Sequence, residues 1–129
     1  MTFTQAELDY LASQMLGRLA TVAPGGQVQN NPVGFAVDPA AGTVLVGGHD
    51  LAASKKFKNV VAGSTVALVV DDLASVNPWS PRMLEIRGTA EALPDAEPLR
   101  PGFGKAQIRI TPHKIISFGL GAPPSNRTV

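Results

Sequence analysis

The chain has 129 residues, of which 11 are basic and 10 acidic, and it contains no cysteine. This length predicts one domain, and the lack of cysteine excludes disulfides, thiolate metal sites and cysteine nucleophiles. A formal net charge of +1 argues against nucleic acid as a partner. The sequence has no apolar run of about 18 residues and no basic-then-apolar leader, so we expect a cytoplasmic protein without a membrane span.

The first half of the chain predicts a helix followed by short strands. Apolar residues at helical spacing, with Thr4 as the N-cap, predict a helix within residues 1–16. The spacing then changes to two, and the predicted strands are 18–23, 27–38 and 43–48. Pro32 lies inside the second strand and cannot donate to a ladder, so we expect a bulge or an unpaired edge there. A second helix is expected to begin after Asp50, its predicted cap.

The second half predicts further strands and a polar tail. The predicted strands are 65–70, 83–93, 106–110 and 113–120, and the predicted loops are 71–81 and 94–104. The first of these strands is apolar on both faces and should be buried on both sides, whereas the second alternates and should have one wet face. Residues 121–129 are predicted to be a disordered tail. The pattern favours a mainly β fold, a small closed or partly closed antiparallel barrel of six to seven strands with two short helices.

The segment from Gly47 to Asn59 combines features of an anion site. Gly48 allows the backbone to approach a ligand closely, and free N–H groups at the start of a helix favour an anion. At helical spacing, Ser54 and Lys56 can lie at the rim of the groove that the apolar face of this helix covers. The lysines of this segment are Lys55, Lys56 and Lys58. A phosphate-binding site is one interpretation and a solvated basic helix face is the other, and the spacing leaves both open.

Two other segments are candidates for ligand contact. Asn30, Asn31 and Pro32 interrupt a strand, which is typical of a backbone that contacts a ligand but also of a simple bulge. Trp79, the single tryptophan, could cover a ligand or a dimer surface, although core packing is the more common fate.

The sequence lacks the common motifs of metal sites, serine hydrolases and nucleotide-binding enzymes. His49 and His113 are not spaced as a metal pair, and there is no Gly-x-Ser-x-Gly turn, Walker motif or dinucleotide glycine motif. We interpret Asp71 and Asp72 as a solvated turn. An enzyme with this sequence would therefore take its reactivity from a bound cofactor.

Seven short motifs carry a resemblance to a known family. In chain order they are 17–22 (GRLATV), 29–35 (QNNPVGF), 47–49 (GGH), 55–60 (KKFKNV), 69–72 (VVDD), 77–79 (NPW) and 85–91 (EIRGTAE). Over about residues 3–120 the chain resembles the F420-dependent branch of the pyridoxamine 5′-phosphate oxidase-like superfamily, the split-barrel flavin and deazaflavin reductases. It is similar within that branch to an actinobacterial subgroup that includes the reductase of tetracycline biosynthesis.

The resemblance implies a split barrel that forms a homodimer, with two cofactor sites at the interface. It implies that the cofactor phosphate is held at the basic helix start, and that the ring lies along the strand at Asn31 to Gly34. The implied cofactor-binding residues are Asn31, Pro32, Val33, Gly34, Gly48, His49, Asp50, Ser54, Lys55, Lys56, Lys58 and, from the partner subunit, Trp79. The family commonly has arginine where this chain has Lys55 and Lys58, and lysine binds phosphate without a bidentate fork.

The sequence thus predicts an F420-dependent oxidoreductase that transfers a hydride between reduced deazaflavin and a small conjugated substrate. FMN is the alternative cofactor, which would make the protein an oxidase or reductase of the pyridoxamine phosphate oxidase type. A non-enzymatic cofactor carrier is a further alternative. Asn31 and His49 are the candidates for protonating the product, and no metal is expected.

Overall fold

Seven antiparallel strands and two helices follow one another in a computed structural model that describes residues 2–129. The helices are α1 (Gln5–Ser13) and α2 (Lys55–Val61), and a short 3-10 turn (Leu51–Ala53) precedes α2. The strands are β1 (Leu16–Val22), β2 (Val28–Asp38), β3 (Thr43–Gly47), β4 (Val66–Ser75), β5 (Ser80–Leu93), β6 (Gln107–Phe118) and β7 (Ser125–Thr128). No helix of the described residues is long and apolar enough to cross a membrane.

The sheet closes on itself. Its strand order is β3-β2-β1-β4-β5-β6-β7, and β3 also pairs with β6, so the first six strands form a ring. One edge of β6 pairs with β5 along the whole strand, while the other edge pairs with β3 at Ile108–Ile110 and with β7 at Lys114–Ser117. The predicted mainly β barrel of six to seven antiparallel strands with two helices is confirmed.

The barrel interior is aliphatic. Inward-facing side chains alternate along each strand, and those with 0% exposure are Val44, Val46, Leu68, Val70, Leu84, Ile86, Ile108, Ile110 and Ile115. Helix α1 adds Tyr10 and Leu11 to this core, and α2 adds Phe57 and Val60. Burial of these side chains supplies most of the driving force for folding, because each fully buried aliphatic residue contributes about 1.5–3 kcal/mol.

Strand β2 has two halves with different neighbours. From Gly34 to Asp38 it pairs with β3, whereas from Val28 to Val33 the structure pairs it with β1 alone, and only Gly34 pairs with both strands. Pro32 lies in the Val28–Val33 half and pairs with Arg18 of β1. The β1–β2 ladder has no register shift. Of the two expectations for Pro32, the unpaired edge is confirmed and the bulge is not.

Two sequence-based strand boundaries were wrong. Residues 71–81 are not an irregular loop, because β4 continues to Ser75 and β5 begins at Ser80. The last two predicted strands are one strand, β6, and their expected break at Thr111–Pro112 is a bulge opposite Gly88. A β-carbon at Gly88 would collide with the Thr111 carbonyl, so this glycine lets a continuous strand pass the proline.

The burial of the strand over 65–70 also differs from the prediction. Val66, Leu68 and Val70 are buried, but Ala67 and Val69 between them are only half-buried. The outer face of β4 is therefore only partly covered, although Ala67 and Val69 are apolar.

The C-terminal segment is ordered where a disordered tail was expected. Strand β7 pairs with β6, and Arg127 donates to both carboxylate oxygens of Glu7 at 2.9 Å and to the Thr2 carbonyl at 2.7 Å. Glu7 is only 2% exposed. An ion pair with a buried carboxylate thus connects the last strand to the first helix.

Candidate functional site

A surface depression lies where β2 and β3 separate. Gly34 and Gly47 are the last directly paired residues of the two strands, and beyond them β2 has its unpaired edge while the chain after β3 turns toward α2. The depression has a volume of about 280 Å³. Its lining residues are Pro32, Val33, Gly34, Gly47, Gly48, His49, Asp50, Leu51, Ser54, Lys56 and Phe103.

This depression brings together most of the residues that the sequence singled out. The sequence-predicted residues that line it are Pro32, Val33, Gly34, Gly48, His49, Asp50, Ser54 and Lys56. The sequence-predicted residues outside it are Asn31, Lys55, Lys58 and Trp79. Topology explains the grouping, because the β2–β3 pairing places the Asn-Pro segment next to the Gly-Gly-His segment.

Ser54, rather than Asp50, caps helix α2. The Ser54 hydroxyl oxygen accepts from the Phe57 amide at 3.3 Å, and the hydroxyl donates to the Leu51 carbonyl at 2.6 Å. Asp50 makes no such cap and begins the preceding 3-10 turn instead. The cap residue was misassigned because the 3-10 turn adds residues between Asp50 and the helix.

The three lysines of α2 do not share one environment. Lys56 is half-buried and lines the depression, whereas Lys55 and Lys58 are exposed and lie outside its lining. Successive helical residues are about 100° apart, so neighbours in sequence face different directions. Lys56 is the lysine that can place its charge in the depression.

The segment 94–104 forms one wall of the depression. The Gly104 amide donates to the Gly48 carbonyl at 2.9 Å, and Arg100 donates to the Phe35 carbonyl at 3.0 Å. His49 Nδ1 lies 2.7 Å from the Gly102 carbonyl oxygen. Sequence analysis recognised this segment only as a loop and so missed its contribution.

Phe103 is the functional candidate that sequence reasoning missed. A β-carbon at Gly34 would lie 3.1 Å from Phe103 Cζ, and one at Gly47 would lie 3.0 Å from Phe103 Cδ2. The two paired glycines therefore leave the space that the phenyl ring occupies. Glycine inside a strand often marks a place where another group approaches the backbone closely. The two glycines were therefore the sequence signal that could have predicted a contact here.

Two sequence-predicted residues are placed elsewhere on the barrel. Asn31 pairs with the buried Leu19, so its Cα lies at an inward-facing position of β2 rather than in the depression. Trp79 lies in the turn between β4 and β5 and is 68% exposed, so core packing, the more common fate, is wrong for this residue.

Asp71 and Asp72 lie within β4, paired with β5, and are not a solvated turn. Asp72 accepts from Arg82 Nε at 2.8 Å and from the Tyr10 hydroxyl at 2.9 Å. The hydrogen bond from Arg82 lowers the pKa of Asp72, while burial and the neighbouring Asp72 raise the pKa of Tyr10. Asp71 is exposed and lies 3.7 Å from Arg18. This cluster joins α1 to the β4–β5 hairpin.

The fold and the sequence together define the class of protein. The family model of pyridoxamine 5′-phosphate oxidase matches residues 3–122, and the chain belongs to this family. The split-barrel resemblance seen in the sequence motifs is thereby confirmed.

Individual relatives agree with this assignment. The chain is 43% identical over 121 residues to a 5a,11a-dehydrotetracycline/5a,11a-dehydrooxytetracycline reductase of Streptomyces rimosus, covering 93% of this chain and 85% of that protein. The FAD binding protein from Mycobacterium smegmatis has a similar fold, with a TM-score of 0.66, 24% identity, and coverage of 90% and 94%. HupZ from Group A Streptococcus has a TM-score of 0.73 at 20% identity, covering 97% of this chain and 98% of that one.

Proposed function

We propose that the protein is an F420-dependent oxidoreductase that reduces a small conjugated organic substrate. The observation that carries the proposal is the single depression in which the Lys56 cation, a side-chain-free backbone at Gly48 and the Phe103 ring are neighbours. The 43% identity to a 5a,11a-dehydrotetracycline/5a,11a-dehydrooxytetracycline reductase supports the same reaction class.

The lining residues fit an anionic ring cofactor. Lys56 supplies a positive charge for a phosphate. A β-carbon at Gly48 would meet no atom of the protein nearer than 3.9 Å, so the backbone there is open to a ligand. Lys56 would hold the phosphate, with Lys55 and Lys58 adding longer-range attraction, and Ser54, whose hydroxyl already donates to the Leu51 carbonyl, would line that end of the site. The ring would contact Pro32, Val33 and Gly34, and Gly48, His49 and Asp50 would line the middle of the site. When bound, reduced deazaflavin supplies a hydride.

The protein contributes binding and orientation in this proposal. Hydride transfer depends on the closeness and alignment of the reacting atoms, and holding those atoms in position removes a large part of the activation barrier. The Pro32–Gly34 backbone and the Phe103 ring packed against Gly34 would together form an apolar surface that aligns the cofactor. Lys56 would place a positive charge at its phosphate end, and Asp50 a negative charge near its middle.

A second copy of the chain is expected to complete the site. The depression of about 280 Å³ lies at the lower limit of ligand pockets, which are usually about 300–1,000 Å³. Trp79 is 68% exposed. Met15, just before β1, and Val76, just after β4, are similarly exposed. We propose that a homodimer covers such surfaces and that Trp79 of the partner subunit approaches the cofactor.

The cofactor is tested by titrating the purified protein with F420 and with FMN while following fluorescence quenching. We expect saturable F420 binding at micromolar concentration. Micromolar FMN binding without F420 binding would replace the deazaflavin by a flavin and leave an FMN-linked oxidase or reductase.

The reaction is tested by mixing the protein and reduced F420 with a panel of enones and quinones in a stopped-flow instrument. We expect at least one acceptor to be reduced faster than without protein. If the protein binds F420 but no acceptor speeds its reoxidation, the protein is a cofactor carrier.

Replacing Lys56 by alanine should weaken F420 binding by about 1–3 kcal/mol, because a charge-assisted contact to phosphate is lost. The matched control is Lys55→Ala, which removes the same charge from an exposed position outside the depression. Both variants should unfold at nearly the wild-type temperature. Equal loss of affinity in the two variants would mean that the phosphate is not held in this depression.

A further inference from the structure

His49 has a fixed tautomer because of the atom that it contacts. Its Nδ1 lies 2.7 Å from the Gly102 carbonyl oxygen, and a carbonyl oxygen only accepts hydrogen bonds. The proton must therefore be on Nδ1. In a neutral imidazole the other nitrogen, Nε2, then carries the free lone pair, and in the charged form it carries a second proton.

The ring of His49 is also held in orientation. It packs edge-to-face on Phe103, with ring centroids 5.7 Å apart and planes at 67°. Gly104 donates to the carbonyl of Gly48, the residue before His49, which ties the backbone of the two segments together. Within residues 2–129, Nε2 of His49 makes no hydrogen bond, so this nitrogen is free to exchange a proton.

We infer that His49 is the proton-exchanging residue of the depression and that the segment 94–104 is its positioning element. Other lining side chains suit this task less well: Ser54 is engaged at both its donor and its acceptor, and Lys56 is assigned to the phosphate. Histidine is the side chain that ordinarily changes charge between about pH 5 and 8. This inference rests on the proposed reductase function and specifies the source of its proton.

The step balances for an enone substrate. The hydride, which the reduced deazaflavin supplies, forms a bond to the β-carbon, and the π electrons of the C=C bond move to give an enolate. The Nε2–H bond of the His49 imidazolium then breaks, its proton bonds to the enolate oxygen, and the electron pair remains on Nε2. The enol tautomerises to the ketone, and the exposed imidazole takes a new proton from solvent.

The charged groups around His49 belong to three elements. Asp50 follows it in the chain, Lys56 of α2 lines the same depression, and Arg100 of the facing segment lies with its guanidinium carbon 5.7 Å from the Phe103 ring centroid. Because Nδ1 donates in both charge states, protonation leaves the contact with Gly102 intact.

The tautomer is tested first, on the protein without cofactor. The chain has two histidines, so long-range ¹H–¹⁵N spectra of the imidazole rings contain two spin systems, and His113→Asn assigns them. We expect the neutral form of His49 to show the Nδ1–H tautomer. The Nε2–H tautomer, which dominates in free histidine, would overturn the inference whatever cofactor the protein binds.

Activity then separates proton exchange from ring positioning. His49→Asn keeps an N–H donor for Gly102 but lacks a titrating nitrogen, and it should lower kcat for cyclohexenone at least 100-fold, as expected for loss of a general acid, on the order of 10²–10⁴. KM and F420 affinity should change little, and the fall of kcat with rising pH should disappear.

His113→Asn, on an exposed position of β6, should retain wild-type kcat. Normal F420 binding and normal kcat in His49→Asn would refute the role of His49 without touching the proposed function.

Discussion

Replacing Arg127 by alanine should lower the free energy of unfolding by about 3–5 kcal/mol, because it leaves a buried carboxylate without its countercharge. Glu7 is 2% exposed, and Arg127 donates to both of its carboxylate oxygens. Urea unfolding at equal protein concentration measures the change, since the concentration of any dimer affects apparent stability.

The Glu7→Gln variant provides the matched control. Glutamine can still accept from the Thr4 amide and complete the capping box, so the change removes the charge and the oxygen that accepts from Arg127 Nη1. Because the Arg127 side chain is about one-third exposed (32%) and can turn toward water, Glu7→Gln should cost less than Arg127→Ala. The double variant should be more stable than Arg127→Ala alone. If Arg127→Ala loses less than about 1 kcal/mol, below the range for removing one partner of a buried pair, β7 does not secure α1.

The same pair makes stability depend on pH. Burial alone would raise the pKa of Glu7, but the hydrogen bonds and charge of Arg127, together with the bonds to Thr4, outweigh it and lower the pKa. A carboxylate with a lowered folded-state pKa stabilises the protein above its unfolded value of about 4.3, and this stabilisation is lost as pH falls through the folded value. The difference between wild type and Glu7→Gln should therefore vanish in acid.

Replacing Ile110 by alanine should cost about 2–5 kcal/mol, the range for a truncated aliphatic side chain in a packed core. Ile110 is 0% exposed and stands opposite Val44 on β3 and Ala90 on β5, where the barrel closes. A cavity there would affect the β3–β6 pairing as well as the packing.

The neighbouring exposed residue Thr111 supplies the control for Ile110. Thr111→Ala removes a side chain of similar size from the outside of the same strand and should change stability by less than about 1 kcal/mol. Both variants are compared by urea unfolding with an unchanged dependence on denaturant. Equal costs would mean that strand propensity rather than closure of the core dominates at this position.

Local patterns predicted the elements whose environment is uniform along their length. The alternation over Met83–Leu93 follows from a strand with one face in the core, and Leu84 and Ile86 are fully buried as expected. Strands at the ends of the barrel were less predictable. Residues 71–75 and 80–81 are strand because β4 and β5 support each other beyond the core, which their polar composition does not reveal.

Some residues of the candidate site were also predictable from the sequence, and others were not. The Gly-Gly-His segment and Lys56 were identifiable because glycine and lysine at a helix start have local consequences for ligand approach and charge. The contribution of Phe103 was not identifiable, because it depends on a contact between residues far apart in sequence. Lys55 and Lys58 were grouped with Lys56 by the family resemblance, and the structure places only Lys56 in the lining of the depression.

The amino-acid sequence by itself determined the family, the mainly β barrel and the two segments that meet at the depression, because periodicity and short motifs are properties of consecutive residues. Only the tertiary structure decided that the C-terminal segment is a strand held by Arg127, that Phe103 lies on a pair of glycines, and that Gly102 sets the tautomer of His49. Each of those depends on atoms brought together by closure of the barrel, and a linear pattern contains no information about which distant backbone group a side chain will meet.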